Sequence, residues 1–76
     1  MRLVTIEDIE DAAARVRAFI VRTPLLPAGW AGDEDRPLWI KPESLQSIGA
    51  FKVRGAFNAI GRLDESVRTR GVVAYS

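Results

Sequence analysis

The chain has 76 residues, no cysteine, no histidine and a formal net charge of +1, a length that holds one small domain at most. A disulfide framework and a cysteine–histidine metal site are excluded, and the carboxylates are spread along the chain with no cluster at metal-ligand spacing. The near-neutral charge offers nothing specific to nucleic acid or to an anionic membrane, and the apolar runs are too short to span a bilayer.

The N-terminus reads Met-Arg-Leu-Val-Thr and turns acidic at once, which is no signal peptide. The expected setting is therefore soluble and cytoplasmic. Thr5 is a good helix N-cap, and Asp8 three residues on completes an approximate capping box. Glu7, Asp8 and Glu10 place negative charge where the helix dipole favours it. Ile6, Ile9, Ala13, Val16 and Ile20 recur at helical spacing and predict one apolar stripe. Thr23-Pro24 is expected to stop this helix, because proline disfavours helical geometry in the residue before it.

Pro24 to Ala28 reads as a short extended piece, and Gly29 to Arg36 as a turn too polar to bury. Leu38-Trp39-Ile40, closed by Pro37 and Pro42, reads as a short edge strand. The two segments flanking the acidic turn predict an antiparallel pair, with Trp39 packed in the core. Glu43 to Gly49 reads as a polar loop. A second helix is predicted over Phe51 to Leu63, with Val53, Phe57 and Ile60 on one face. Gly55 and Gly61 weaken it by up to about 1 kcal/mol each relative to alanine. A short third helix is predicted from Asp64 or Ser66 to Arg70. Val72-Val73-Ala74-Tyr75 then reads as a buried parallel strand.

This order of elements predicts an α/β architecture. In open α/β sheets, ligand-binding loops follow the carboxyl ends of strands, and the chain stops where its last strand does. Residues 1–76 are therefore expected to be an N-terminal fragment of a larger catalytic domain.

Lys52 carries the sharpest chemical expectation. It lies between Phe51 and Val53, at the start of a predicted helix and two residues before Arg54. Apolar neighbours and positive potential both favour the neutral amine that carbonyl addition needs. An exposed lysine with no chemical role is the plain alternative. Lys41, flanked by Pro42 at a strand end, reads as solvated.

The run Gly49-Ala50-Phe51-Lys52-Val53-Arg54-Gly55-Ala56-Phe57-Asn58 resembles the cofactor-lysine motif of the threonine and serine dehydratases, shared by serine racemase. The upstream residues Lys41, Glu43 and Gln46 match that family's Lys-x-Glu-x-x-Gln stretch. Arg22-Thr23-Pro24-Leu25 and Val72 to Ser76 are similar to its flanking segments. The resemblance implies part of a fold-type II pyridoxal-phosphate enzyme, a three-layer α/β sheet like that of tryptophan synthase β, incomplete in this chain. It implies that Lys52 forms the Schiff base with pyridoxal phosphate and moves the substrate Cα proton. Phe51 would pack near the cofactor ring, and Ser76 would open the loop that holds the substrate carboxylate. Arg54 and Asn58 would set the helix by packing and hydrogen bonding. The implied reaction is β-elimination of a hydroxy amino acid to a 2-oxo acid and ammonia, in a homo-oligomeric parent protein. Serine racemase and threonine synthase chemistries stay open. Ala50 departs from the pattern, which has serine there, and this puts the details of the cofactor's surroundings in question. The glycine-rich phosphate loop and the partner of the ring nitrogen lie downstream in the family, so the isolated chain is expected to be inactive. A reading of another class is a small interaction module using Trp30, Trp39 and Phe57 as surface anchors.

Overall fold

A computed structural model describes residues 2–75. Helix α1 spans Ile6–Val16 and begins with the predicted capping box. The Asp8 N–H donates to Thr5 Oγ1 at 3.2 Å, and the Thr5 N–H donates to Asp8 Oδ2 at 2.9 Å. Arg2 pairs with Asp8 at 2.7 Å. That guanidinium, with the Thr5 N–H, holds the Asp8 carboxyl below its ordinary value.

The helix ends at Val16, earlier than proline alone would require. A turn closes it through the Phe19 N–H on the Val16 carbonyl. Further on, the N–H and C=O of Val21 are both taken by the Gln46 side chain, which fixes that residue outside the helix. The apolar stripe is only partly buried. Val16 is buried and Ile20 half-buried, whereas Ile6, Ile9 and Ala13 are exposed. Among the described residues, the main packing partner of α1 is the second helix, which covers only part of that face.

The chain then forms the predicted antiparallel pair, β1 (Leu26–Pro27) and β2 (Trp39–Ile40), in the register Leu26 to Ile40 and Pro27 to Trp39. Asp33 Oδ1 accepts from the Asp35 and Arg36 N–H groups and shapes the acidic turn between them. Trp39 is 52% exposed, so the expectation that it packs in a core is corrected. Among the described residues, no helix packs extensively against its two-stranded sheet.

Part of the predicted polar loop is a short 3₁₀ helix, Glu43–Leu45. Helix α2 spans Lys52–Gly61 and α3 spans Glu65–Arg68 behind Asp64, the latter ending two residues before the expected Arg70. Gly71, at φ +83°, stops the chain's helical path in the left-handed region that glycine enters freely. The predicted strand over Val72 to Tyr75 does not form; these residues are in no regular element and are exposed. A parallel strand needs a neighbour for its backbone groups, and the sheet among the described residues consists of β1 and β2 alone.

Contacts between α1 and α2 hold the two helices together. Arg15 Nη1 donates to Asn58 Oδ1, Gly61 lies under the Arg15 stem, and Phe19 stacks on Phe57 with ring centroids 4.7 Å apart. The buried hydrophobic residues are Val16, Ala28 and Val53. The radius of gyration is 16.3 Å, against roughly 11 Å for a compact chain of this length. The described residues thus pack pairwise without closing around one shared core.

Candidate active site

Local geometry delivers Lys52 to the first position of α2. Gly49 takes φ +74°, which reverses the chain just before the helix. Its N–H donates to the Gln46 carbonyl at 2.8 Å, tying that turn to the 3₁₀ segment. Phe51 precedes the helix without any side-chain cap. Ala50 stands where the motif has a serine hydroxyl, and the start of α2 has no side-chain oxygen in its place. The first turn also lacks an acidic residue.

The chain has two lysines, and the structure separates them. Lys41 is exposed, as expected of a solvated lysine, and its Nζ also donates to the Thr23 carbonyl at 2.8 Å. Lys52 is exposed. Among the described residues it makes no side-chain hydrogen bond and no ion pair. The apolar enclosure expected around it is not built by its sequence neighbours. Phe51 is 64% exposed, and Val53, at 1%, is turned into the interior. Ser76 lies outside the described residues.

A network of polar side chains braces the turn that carries Lys52. Arg54 donates from Nε to Glu43 Oε1 at 2.7 Å, and its Nη2 lies at the same distance from that oxygen. The other oxygen, Oε2, accepts from Gln46 Nε2 at 2.7 Å. Gln46 is only 4% exposed. Its Nε2 also donates to the Val21 carbonyl at 2.7 Å, and its Oε1 accepts the Val21 N–H at 2.8 Å. The Gln46 amide, followed by Arg54, holds the Glu43 carboxyl below its ordinary value. The Lys-x-Glu-x-x-Gln spacing carried the signal for these residues, but nothing in the sequence pointed to Val21 as their far anchor. Arg54 and Asn58 both hydrogen-bond outside α2, Arg54 to Glu43 and Asn58 to Arg15.

An exposed primary amine with no competing partner, beside an exposed aromatic ring, fits a cofactor that carries an aldehyde on an aromatic ring. The family model described as pyridoxal-phosphate dependent enzyme matches residues 16–76. The chain belongs to that family, and its cofactor is pyridoxal phosphate. Its relatives are of the threonine and serine dehydratase type. An L-threo-3-hydroxyaspartate ammonia-lyase from a Pseudomonas species is 44% identical over 77 residues, covering 100% of this chain and 24% of the relative. A serine racemase from Dictyostelium discoideum is 42% identical over 77 residues, with the same coverage. An L-threonine ammonia-lyase from Thermotoga maritima is 39% identical over 75 residues, covering 97% of this chain and 19% of the relative. The chain thus spans about a quarter or less of the length of these relatives. No solved structure matches it. Among the described residues, no helix is long and apolar enough to cross a membrane, and no histidine, cysteine or carboxylate group is placed to hold a metal.

Proposed function

We propose that this chain supplies the cofactor-bearing lysine, Lys52, of a pyridoxal-phosphate-dependent ammonia-lyase acting on a β-hydroxy amino acid. The observation that carries the reading is the contrast between the two lysines: Lys41 is engaged by the Thr23 carbonyl, whereas Lys52 stands unpartnered at the start of α2. Relatives named as ammonia-lyases support the reaction class.

Pyridoxal phosphate, when bound, supplies the electron sink for the pair left behind when the Cα–H bond breaks. Lys52 Nζ holds the cofactor and moves the Cα proton. Phe51, exposed next to it, offers an apolar face for the cofactor ring. Ser76 is assigned the start of the loop that holds the substrate carboxylate. Elimination releases the β-hydroxyl as water, and hydrolysis of the resulting imine takes one water back. The hydroxy amino acid therefore yields a 2-oxo acid and ammonia and nothing else. The three-layer α/β sheet and homo-oligomeric assembly of this enzyme type belong to the same proposal, as does a cytoplasmic setting. Residues 1–76 alone are expected neither to retain the cofactor tightly nor to turn over substrate.

Racemisation is the second reading, favoured by the serine racemase relative, because it shares the removal of the Cα proton. The interaction-module reading gains the exposure of Trp30, at 83%, and of Trp39, but it gives no reason for the match to the enzyme family. In the test, the full-length protein is reduced with borohydride in the presence of pyridoxal phosphate and mapped by peptide mass. The label is expected on Lys52, to vanish in Lys52→Ala and to persist in Lys41→Met. Labelling elsewhere, or undiminished in Lys52→Ala, overturns the assignment. Profiling with threonine, serine and 3-hydroxyaspartate, reading 2-oxo acid against D-isomer, separates lyase from racemase.

A further inference from the structure

The start of α2 is electrostatically unsupported from within. It has no side-chain cap and no acid in its first turn, and it carries Lys52 and Arg54 at the end where the helix dipole is already positive. The compensating charge arrives from outside the helix, as Glu43 on the 3₁₀ segment. Its carboxylate divides its oxygens, one to Arg54 and one to the buried amide of Gln46. Gln46 in turn grips both backbone groups of Val21. A continuous line of short hydrogen bonds therefore runs from the segment after α1 to the residue two positions beyond Lys52. Every polar group of the Gln46 amide is used, so the amide has one orientation only.

We propose that Glu43 and Gln46 are positioning residues for Lys52, setting where its amine meets pyridoxal phosphate through the Arg54 clamp on the first turn of α2. The inference rests on Lys52 being the cofactor-bearing lysine. A carboxylate at position 43 is required by the donors around it. In Glu43→Gln the single amide oxygen serves either Arg54 or Gln46, and the new NH₂ faces a donor on the other side. Arg54→Lys keeps one charged donor for Glu43, whereas Arg54→Met keeps none.

The test uses the full-length protein loaded with pyridoxal phosphate, at a temperature where each variant is folded by far-ultraviolet circular dichroism. Two quantities are read: the cofactor's dissociation constant, and the induced circular dichroism of its visible band, which reports how it is held. Glu43→Gln and Arg54→Met are expected to weaken cofactor retention about tenfold, the equivalent of one hydrogen bond to a charged group, and to diminish the induced band. Arg54→Lys is expected to restore most of both. Thr5→Ala, which removes the α1 cap far from this clamp, lowers the melting temperature and leaves both cofactor readouts unchanged. The proposal is overturned if Glu43→Gln and Arg54→Met only melt earlier, with retention and induced band matching the parent. Should Glu43→Gln fail to fold, the Arg54→Lys and Arg54→Met comparison decides alone. Covalent labelling that survives Lys52→Ala sinks the underlying assignment. Labelling lost in Lys52→Ala, with Glu43→Gln behaving as the parent, sinks only the positioning role.

Discussion

The side chain of Gln46 replaces a strand partner for Val21, accepting its N–H at 2.8 Å and donating to its carbonyl at 2.7 Å. Twenty-five residues separate the two. This pairing ties the segment after α1 to the loop that leads to Lys52. Gln46→Leu leaves both Val21 groups and one Glu43 oxygen without their partner and is expected to cost about 1–3 kcal/mol. Gln46→Glu is expected to be worse at neutral pH, since a second carboxylate then faces Glu43 and the Val21 carbonyl. Urea denaturation of the full-length protein at pH 7 measures both. A Gln46→Glu variant as stable as the parent would show that the amide NH₂ is not the group facing Glu43.

Acid sensitivity follows from Glu43 and Asp8, whose carboxyls are both held below their ordinary values. A depressed folded-state value means the ionised form is favoured by folding, so the contribution is complete above the unfolded value. It is lost as pH falls through the folded one. The unfolded values are 3.8 for Asp8 and 4.5 for Glu43, which places the loss below about pH 4.5. Glu43→Gln is expected to flatten the decline of stability over that range while lowering stability at pH 7. A decline as steep as the parent's would remove Glu43 from the cause.

What the sequence made legible is what neighbouring residues decide. The Thr5 cap, the turn within Gly29 to Arg36, the β1–β2 pair and the placement of α2 all follow from local capping, proline, turn chemistry and helical periodicity, and all are found. Burial was not legible to the same degree. The period of Ile6, Ile9 and Ala13 is helical, but period fixes only which face they share and says nothing about what covers it. Trp39 and residues 72–75 differ for the same reason, since sheet pairing and core packing depend on partners remote in sequence. In the candidate site, the motif singled out Lys52. It also marked Glu43 and Gln46 without disclosing their hydrogen bonds, because the acceptor and donor on Val21 are backbone groups that no residue type announces.

Leu3, Val4, Ile6, Ile9, Val73 and Tyr75 are all exposed apolar or aromatic surface, more than a small soluble domain ordinarily presents. Residues 1–76 produced alone are therefore expected to associate or to lose their packing. Sedimentation velocity over a dilution series, with near-ultraviolet circular dichroism, reads this directly. A compact monomer with fixed aromatic signals at high dilution counts against it.

The two glycines of α2 give opposite expectations for the same substitution. A Cβ at Gly55 meets nothing within 4 Å, whereas one at Gly61 lies 3.0 Å from Arg15 Cδ and 3.1 Å from its Cγ. Alanine in a helix interior is favoured over glycine by about 0.8–1.0 kcal/mol, so Gly55→Ala gains helicity in this chain at no steric cost. At Gly61 the Arg15 stem has to give by a few tenths of an ångström, which strains its hydrogen bond to Asn58. That bond is worth roughly 0.5–1.5 kcal/mol or more for a charged donor, enough to cancel the propensity gain. Stability of the full-length protein by urea denaturation is expected to rise in Gly55→Ala and to stay level or fall in Gly61→Ala. Pairing Gly61→Ala with Arg15→Ala separates the two causes, because with the stem gone only propensity is left and stability rises relative to Arg15→Ala alone. Equal gains at both glycines in the parent background would mean that the Arg15 side chain is not seated against α2.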